Sequence, residues 1–212
     1  MIEPTRVLLL RHGETAWNVE RRIQGHRDAA LNEHGRWQAR QLGRALQSED
    51  LGALYSSDLA RAVDTATPLA QATGLPVQTD AELRERCFGR FEGLTYDEVE
   101  QGWPQDALRW RQREPDFSVG GGESLTDFSS RCVAAVARLA AAHPGQLIAV
   151  VAHGGVLDCL YRAAAGMGLR DARTWALGNA SINRLLYHGE GFALVGWNDV
   201  AHLDRSAAQV EC

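Results

Sequence analysis

Two continuous apolar runs constrain this chain most: Val7-Leu8-Leu9-Leu10 near its start and Leu147-Ile148-Ala149-Val150-Val151-Ala152 in its second half. Unbroken, largely branched runs of this length are the pattern of strands buried on both faces, which requires helices above and below a sheet. Helical spacing fills the intervals. Ala39, Leu42 and Leu46 share one face, as do Leu59, Ala62, Val63, Ala66 and Ala70. Phe128, Cys132, Ala135, Val136 and Leu139 form the clearest stripe, and Ser124-Leu125-Thr126-Asp127 fits the capped start of that helix. Pro68 predicts a kink or an end near Thr67, because proline has no N–H for the helix ladder. Leu51 to Tyr55 is a weaker third strand. Ser181 to His188 and Phe192 to Trp197 flank His188-Gly189-Glu190-Gly191, which reads as a late edge hairpin.

The expected fold is therefore α/β, a three-layer sandwich with a mostly parallel central sheet and helices on both faces. At 212 residues the chain suits one domain. We expect that domain over residues 1–205, with a frayed tail over 206–212. Residues 86–122 sustain no period and are rich in Gly, Pro, Trp and Arg, so they read as an irregular insertion capping the substrate.

Composition removes several function classes. A net charge of −5 speaks against a nucleic-acid surface. All 22 Lys+Arg residues are Arg, which excludes Schiff-base and P-loop lysine chemistry. The four cysteines, Cys87, Cys132, Cys159 and Cys212, are widely spaced and form no CxxC pair, so zinc-knuckle and disulfide frameworks are weak readings. No apolar run approaches the roughly 20 residues of a membrane span. Nor does the N-terminus resemble a signal peptide, and a cytoplasmic location is expected.

The polar residues gather at strand ends. Arg11-His12-Gly13-Glu14-Thr15 follows the first strand, Ser56-Ser57-Asp58-Leu59-Ala60-Arg61 the third candidate, and His153-Gly154-Gly155 the run ending at Ala152. Open parallel sheets bind ligands beyond the carboxyl ends of their strands, where helices also begin. Two arginines, two imidazoles and helix N-termini in an acidic protein describe a site for a compact anion, and a phosphoryl group fits best. A neutral imidazole pinned at one nitrogen can attack phosphorus with the other, which splits a very slow hydrolysis into two steps. Arginine forks would hold the equatorial oxygens. The leaving oxygen needs a proton, and Glu85 in Leu83-Arg84-Glu85-Arg86 is the candidate acid.

Taken in chain order, these four motifs resemble those of the histidine phosphatase superfamily, also called the phosphoglycerate mutase-like family. The resemblance runs from Arg6 to about Trp197. It implies His12 as the phosphorylated nucleophile, with Arg11, Arg61 and His153 forming the phosphate pocket. Glu85 would serve as proton donor and later as the base that activates water. Asn18 occupies the position of a phosphate-contacting Asn, Gln24-Gly25 matches a loop beside the substrate, and Gly154 follows the second histidine at the same rim. Gly120-Gly121-Gly122-Glu123-Ser124 resembles a turn near the pocket mouth, or is simply a flexible loop with a helix cap. No metal and no other cofactor is expected.

Other readings stay open for individual residues. Glu14 fits a structural partner at a helix start. His34, His143, His188 and His202 lack metal-ligand spacing, while His26 follows Gln24-Gly25 toward the pocket. Trp103, Trp110, Arg109, Arg111 and Arg113 would line a lid, with the tryptophans better explained by packing. Within the family, mutases carry a longer insertion, a substrate-clamping Lys and usually HGNS at the second histidine. Here 37 residues separate Glu85 from Glu123, Tyr96 stands near the place of that lysine, and the motif is His153-Gly154-Gly155. The departures favour a phosphatase acting on a small phosphorylated metabolite, such as a phosphoglycerate, phosphoserine, a sugar phosphate or a phosphorylated nucleoside. The competing readings are a cofactor-dependent mutase, a phosphate-binding protein without chemistry, and a metal-dependent hydrolase with His12 and His153 as ligands. No membrane or nucleic-acid partner is expected. The resemblance allows a homodimer.

Overall fold

The period-two alternation inside the apolar runs explains the layering. In the computed structural model, which describes residues 3–204, Val7 and Leu9 of strand β1 (Thr5–Arg11) face one apolar cluster, and Leu8 and Leu10 face another. Strand β4 (Leu147–Ala152) divides the same way, Ile148, Val150 and Ala152 against Leu147, Ala149 and Val151. Each side chain in these strands therefore meets a helix layer.

One layer holds helices α6 (Leu125–Ala141) and α7 (Gly154–Ala165), which bring Phe128, Cys132, Val136, Leu157 and Leu160 to the first cluster. The other holds α2 (Glu33–Leu46) and α3 (Ala60–Thr73), whose Leu42, Leu46, Ala62, Ala66 and Leu69 complete the second. With β2 (Leu51–Ser56), β3 (Val77–Thr79), β5 (Ile182–Tyr187) and β6 (Phe192–Asp199), the six strands run in the order β3-β2-β4-β1-β5-β6. The first four are parallel, and β5 and β6 form the expected antiparallel hairpin at one edge. The α/β sandwich with its mostly parallel sheet is thus the fold of this chain.

Two local expectations need correction. Helix α3 continues through Pro68 without ending near Thr67. Gly43 of α2 lies against that turn, where an added Cβ would meet the Pro68 carbonyl carbon at 2.9 Å, so close helix packing holds the turn that lacks one hydrogen bond. Residues 86–122 are more regular than their composition suggests. They contain a 3-10 turn (Gly89–Phe91), α4 (Tyr96–Gly102) and α5 (Pro104–Arg111). Thr95 caps α4 through a reciprocal box with Glu98, and Pro104 opens α5 at its first position. A third small core of Phe91, Val99, Ala107, Phe117 and Val119, closed by Ile23, supports this insertion. Ser124 caps α6 as its sequence predicts, accepting from the Asp127 N–H at 3.0 Å. The tail over 206–212 lies outside the described residues. Among those residues no helix is long and apolar enough to cross a membrane.

Candidate active site

Strand register brings the two motif histidines together. β1 and β4 pair in parallel with Arg11 beside Ala152, so the next residues, His12 and His153, leave the sheet side by side. The His12 N–H donates to the Ala152 carbonyl at 3.0 Å, and the ring centroids stand 5.2 Å apart. β2 lies on the far side of β4, and after Ser56 the chain turns into α3, which carries Arg61. Arg11, His12, Asn18, Gln24, Gly25, Arg61, Glu85 and Gly154 all line one cavity of about 430 Å³, with His153 fully buried beside His12.

His12 is held in one tautomer. Its Nδ1 lies 2.8 Å from the Gly13 carbonyl, which can only accept, so the proton is on Nδ1 and the Nε2 lone pair is free. Asn179 donates to the His12 carbonyl at 3.0 Å, and Thr65 accepts from the Gly13 N–H at 2.9 Å. The loop is therefore fixed on both sides. Burial, reinforced by the charges of Arg61 and Arg11, holds the His12 imidazole well below the ordinary histidine pKa. Burial also lowers His153, again with Arg61 and then His12 and Arg11 contributing. Both rings are neutral at pH 7.

Several polar atoms in this region are buried without a partner. Arg11 Nε, Arg61 Nε, Trp175 Nε1 and one ring nitrogen of neutral His153 can donate, whereas Gln24 Oε1, Asp158 Oδ1 and the other His153 nitrogen accept. Other atoms of the same guanidinium groups are anchored, Arg11 to the Leu177 carbonyl and Arg61 to the carbonyls of Gly25 at 2.7 Å and Arg27 at 3.1 Å. Buried polar groups are normally satisfied, so the orphaned donors Arg11 Nε, Arg61 Nε and His153 near His12 are the signature of a place for an acceptor-rich ligand.

Glu85 lines the same cavity. Its Oε2 accepts from the Gly155 N–H and its Oε1 from the Arg86 N–H, both at 2.9 Å. A Cβ at position 155 would collide with Oε1, so this carboxylate position requires glycine there. The helix ends contribute differently from their sequence reading. The first N–H groups of α3, at Ala60 and Arg61, go to the Asp28 carboxylate, and that of Gly155 in α7 goes to Glu85. At these two termini the acceptor is a carboxylate of the chain itself.

Asn18 combines both of its readings. It closes a capping box with Thr15 on the short helix α1 (Ala16–Val19) and also lines the cavity, its Oδ1 accepting from Asn179 at 3.2 Å. Glu14 has a structural contact, accepting from Asn32 at 2.8 Å. His26 reaches the Glu85 carbonyl through Nε2 at 2.9 Å. Of the proposed lid residues, Trp110 and Arg113 line the cavity. Arg109 and Arg111 instead pair with Glu114 and Glu100 on the exposed side, and Trp103 packs on Phe91. Sequence reasoning missed Arg22, Arg173 and Trp175 in the wall, as well as the supports Thr65 and Asn179. Among the described residues no group of three or more His, Cys, Asp or Glu side chains is placed to hold a metal ion.

With this geometry established, comparison with known proteins is informative. The family model for the histidine phosphatase superfamily (branch 1) matches residues 7–200. Phosphoglycerate mutase-like protein 4 of Arabidopsis thaliana is 38% identical over 209 residues, 97% of this chain and 90% of that one. The structure of Bacillus stearothermophilus YhfR superposes with a TM-score of 0.88 at 34% identity, covering 94% of this chain and 100% of that one. A mycobacterial glucosyl-3-phosphoglycerate phosphatase, solved with VO3, gives 0.80 at 35% identity, covering 91% and 98%. Motif order, fold and near full-length similarity agree: the chain belongs to the histidine phosphatase superfamily.

Proposed function

We propose that this chain is a metal-independent phosphomonoesterase that hydrolyses a small phosphorylated metabolite through a phosphohistidine at His12. The observation that carries the reading is the ring of unpartnered buried donors, Arg11 Nε, Arg61 Nε and His153, around an imidazole whose Nδ1 proton is already engaged. Three phosphoryl oxygens would complete these donors, and the charge they carry in a loose transition state is stabilised by groups that need no reorganisation. His12 Nε2 attacks phosphorus, the bond to the ester oxygen breaks, and Glu85 delivers a proton to that oxygen. In the second step Glu85 takes a proton from water, the water oxygen bonds to phosphorus, and the Nε2–P bond breaks to release inorganic phosphate. Asn18, Gln24, Gly25 and Gly154 bound the phosphoryl end of the cavity.

The test is phosphate release in EDTA together with rapid-quench trapping of label from a 32P-monoester. An acid-labile, alkali-stable label on the wild type, absent from His12→Ala, is the expected result. Turnover with no such label, or label that persists in His12→Ala, overturns the nucleophile. The mutase names of relatives such as the Arabidopsis protein support a second reading. Conversion of 3-phosphoglycerate to 2-phosphoglycerate without net phosphate release would decide for it.

A further inference from the structure

Six arginines and only two carboxylates, Glu85 and Asp158, line the cavity of a chain whose net charge is −5. Five of these arginines donate to protein acceptors. Besides Arg11 and Arg61, Arg22 pairs with Glu20 and Glu98, Arg86 donates to the carbonyls of Glu123 and Phe117, and Arg113 pairs with Asp158. Arg173 has neither a hydrogen-bond nor an ion-pair partner among the described residues. It stands in the irregular stretch between α7 and β5, two residues before Trp175, and both side chains line the cavity.

Trp175 is held rigidly. Its ring stacks on Tyr161 at 3.9 Å and lies 4.9 Å from the Arg162 guanidinium. Its Nε1–H is shielded from solvent and has no acceptor. The Arg173 charge acts on both Tyr96 and Arg11, which line the same cavity. Burial raises the Tyr96 hydroxyl pKa and the Arg173 charge opposes that rise; burial lowers Arg11, and Arg173 adds to that lowering after the opposing charge of Glu85. One wall thus offers an exposed, unpaired cation beside a fixed donor, beyond the place of the phosphoryl group.

We propose that Arg173, with the Trp175 indole N–H, forms a second anion subsite that reads a negative group on the leaving portion of the substrate. The preferred phosphomonoesters then carry a carboxylate or a second phosphoryl group. This inference rests on the phosphatase reading. An arginine that only steered anions toward the cavity would act on all phosphomonoesters at long range and would discriminate little among them.

Two matched pairs test the subsite. 3-Phosphoglycerate against glycerol 3-phosphate differs by a carboxylate, and fructose 1,6-bisphosphate against fructose 6-phosphate by a second phosphoryl group. In wild type, kcat/KM favours the doubly anionic member of at least one pair by about tenfold, the scale of one charge-assisted hydrogen bond. Arg173→Gln removes most of that ratio, chiefly through KM, and Trp175→Phe removes a smaller part. The pair that responds tells a carboxylate from a phosphoryl group. Equal kcat/KM within both pairs, or an equal loss on both members in Arg173→Gln, overturns the subsite. The same ratios are read as Kd by calorimetry in His12→Ala, with and without Arg173→Gln. Absence of turnover on all four compounds in wild type counts against the phosphatase reading, while the Kd ratios still decide the subsite.

Discussion

The rim of the sheet and the insertion over 86–122 use the same residue types to opposite ends. At the rim, arginines and histidines are buried and left partly unsatisfied: Arg61 and His153 are 0% exposed, yet each has at least one nitrogen without a partner. In the insertion, Arg90, Arg109 and Arg111 lie near the surface, each paired with a carboxylate. The insertion is held by aromatic packing, with Phe91 against Trp103 and Trp110, and Tyr96 stacked on Trp110. A binding site is made by polar groups that the fold holds in place but does not satisfy. The insertion instead pairs these arginines with carboxylates and packs its rings together.

The contrast predicts where a substitution registers. His12→Ala strikes the rim hardest. Loss of turnover by at least about 10⁴-fold is expected, since catalytic groups acting as a unit lose most of their effect together. Circular dichroism should remain native; an unfolded variant would mean that the histidine is structural. Phe91→Ala strikes the insertion through stability. Emptying a fully buried phenylalanine site typically costs about 3–5 kcal/mol, read as a lower denaturant midpoint. A midpoint unchanged within error would show that the third core contributes nothing to the fold.

A sharper comparison uses one substitution at two places. Gly155→Ala drives a methyl group into Glu85, and a displacement near 1 Å can cost about 10²-fold in kcat. Gly102→Ala, at the end of α4 in the insertion, meets nothing within 4 Å and should leave activity intact while gaining up to about 1 kcal/mol from helix propensity. Similar losses at both glycines would erase the distinction between the regions. The smallest effect is on pH. Burial lowers the folded-state pKa of His12 and His153 below the ordinary 6.5, so below that value the unfolded chain binds protons that the folded chain does not. Stability is therefore fully present above pH 6.5 and falls as pH drops toward the folded pKa values, by at most about 1.4 kcal/mol per unit for each histidine. Urea melts from pH 7.5 to 5 check the sign, and His153→Gln should flatten the slope.

The same contrast governs what was legible in the sequence. The double-sided strands β1 and β4 write themselves as unbroken apolar runs, and the stripe on α6 has a clean helical period, so both can be read by inspection. The rim motifs are legible because they follow those strands directly. α4 and α5 are not, since they have 7 and 8 residues and their buried faces are built from scattered Val99 and Ala107 instead of a repeating stripe. Pro68 misleads because local propensity argues for a break, while packing against Gly43 keeps the turn. Arg173 and Trp175 carry no local signal. Their place in the wall follows from the path of an irregular segment, which depends on contacts made far along the chain.

The central position of β1 has a kinetic consequence. β1 pairs with β4 on one side and β5 on the other, so Arg6 meets both Leu147 and Leu186. Such pairing between distant segments is the slow part of folding for a chain of this topology. During synthesis the Arg11-His12 segment precedes β4 and β5, and β1 stays without these two partners until both have left the ribosome. Recovery of catalytic activity on refolding should therefore track the last step of sheet assembly, later than helix formation.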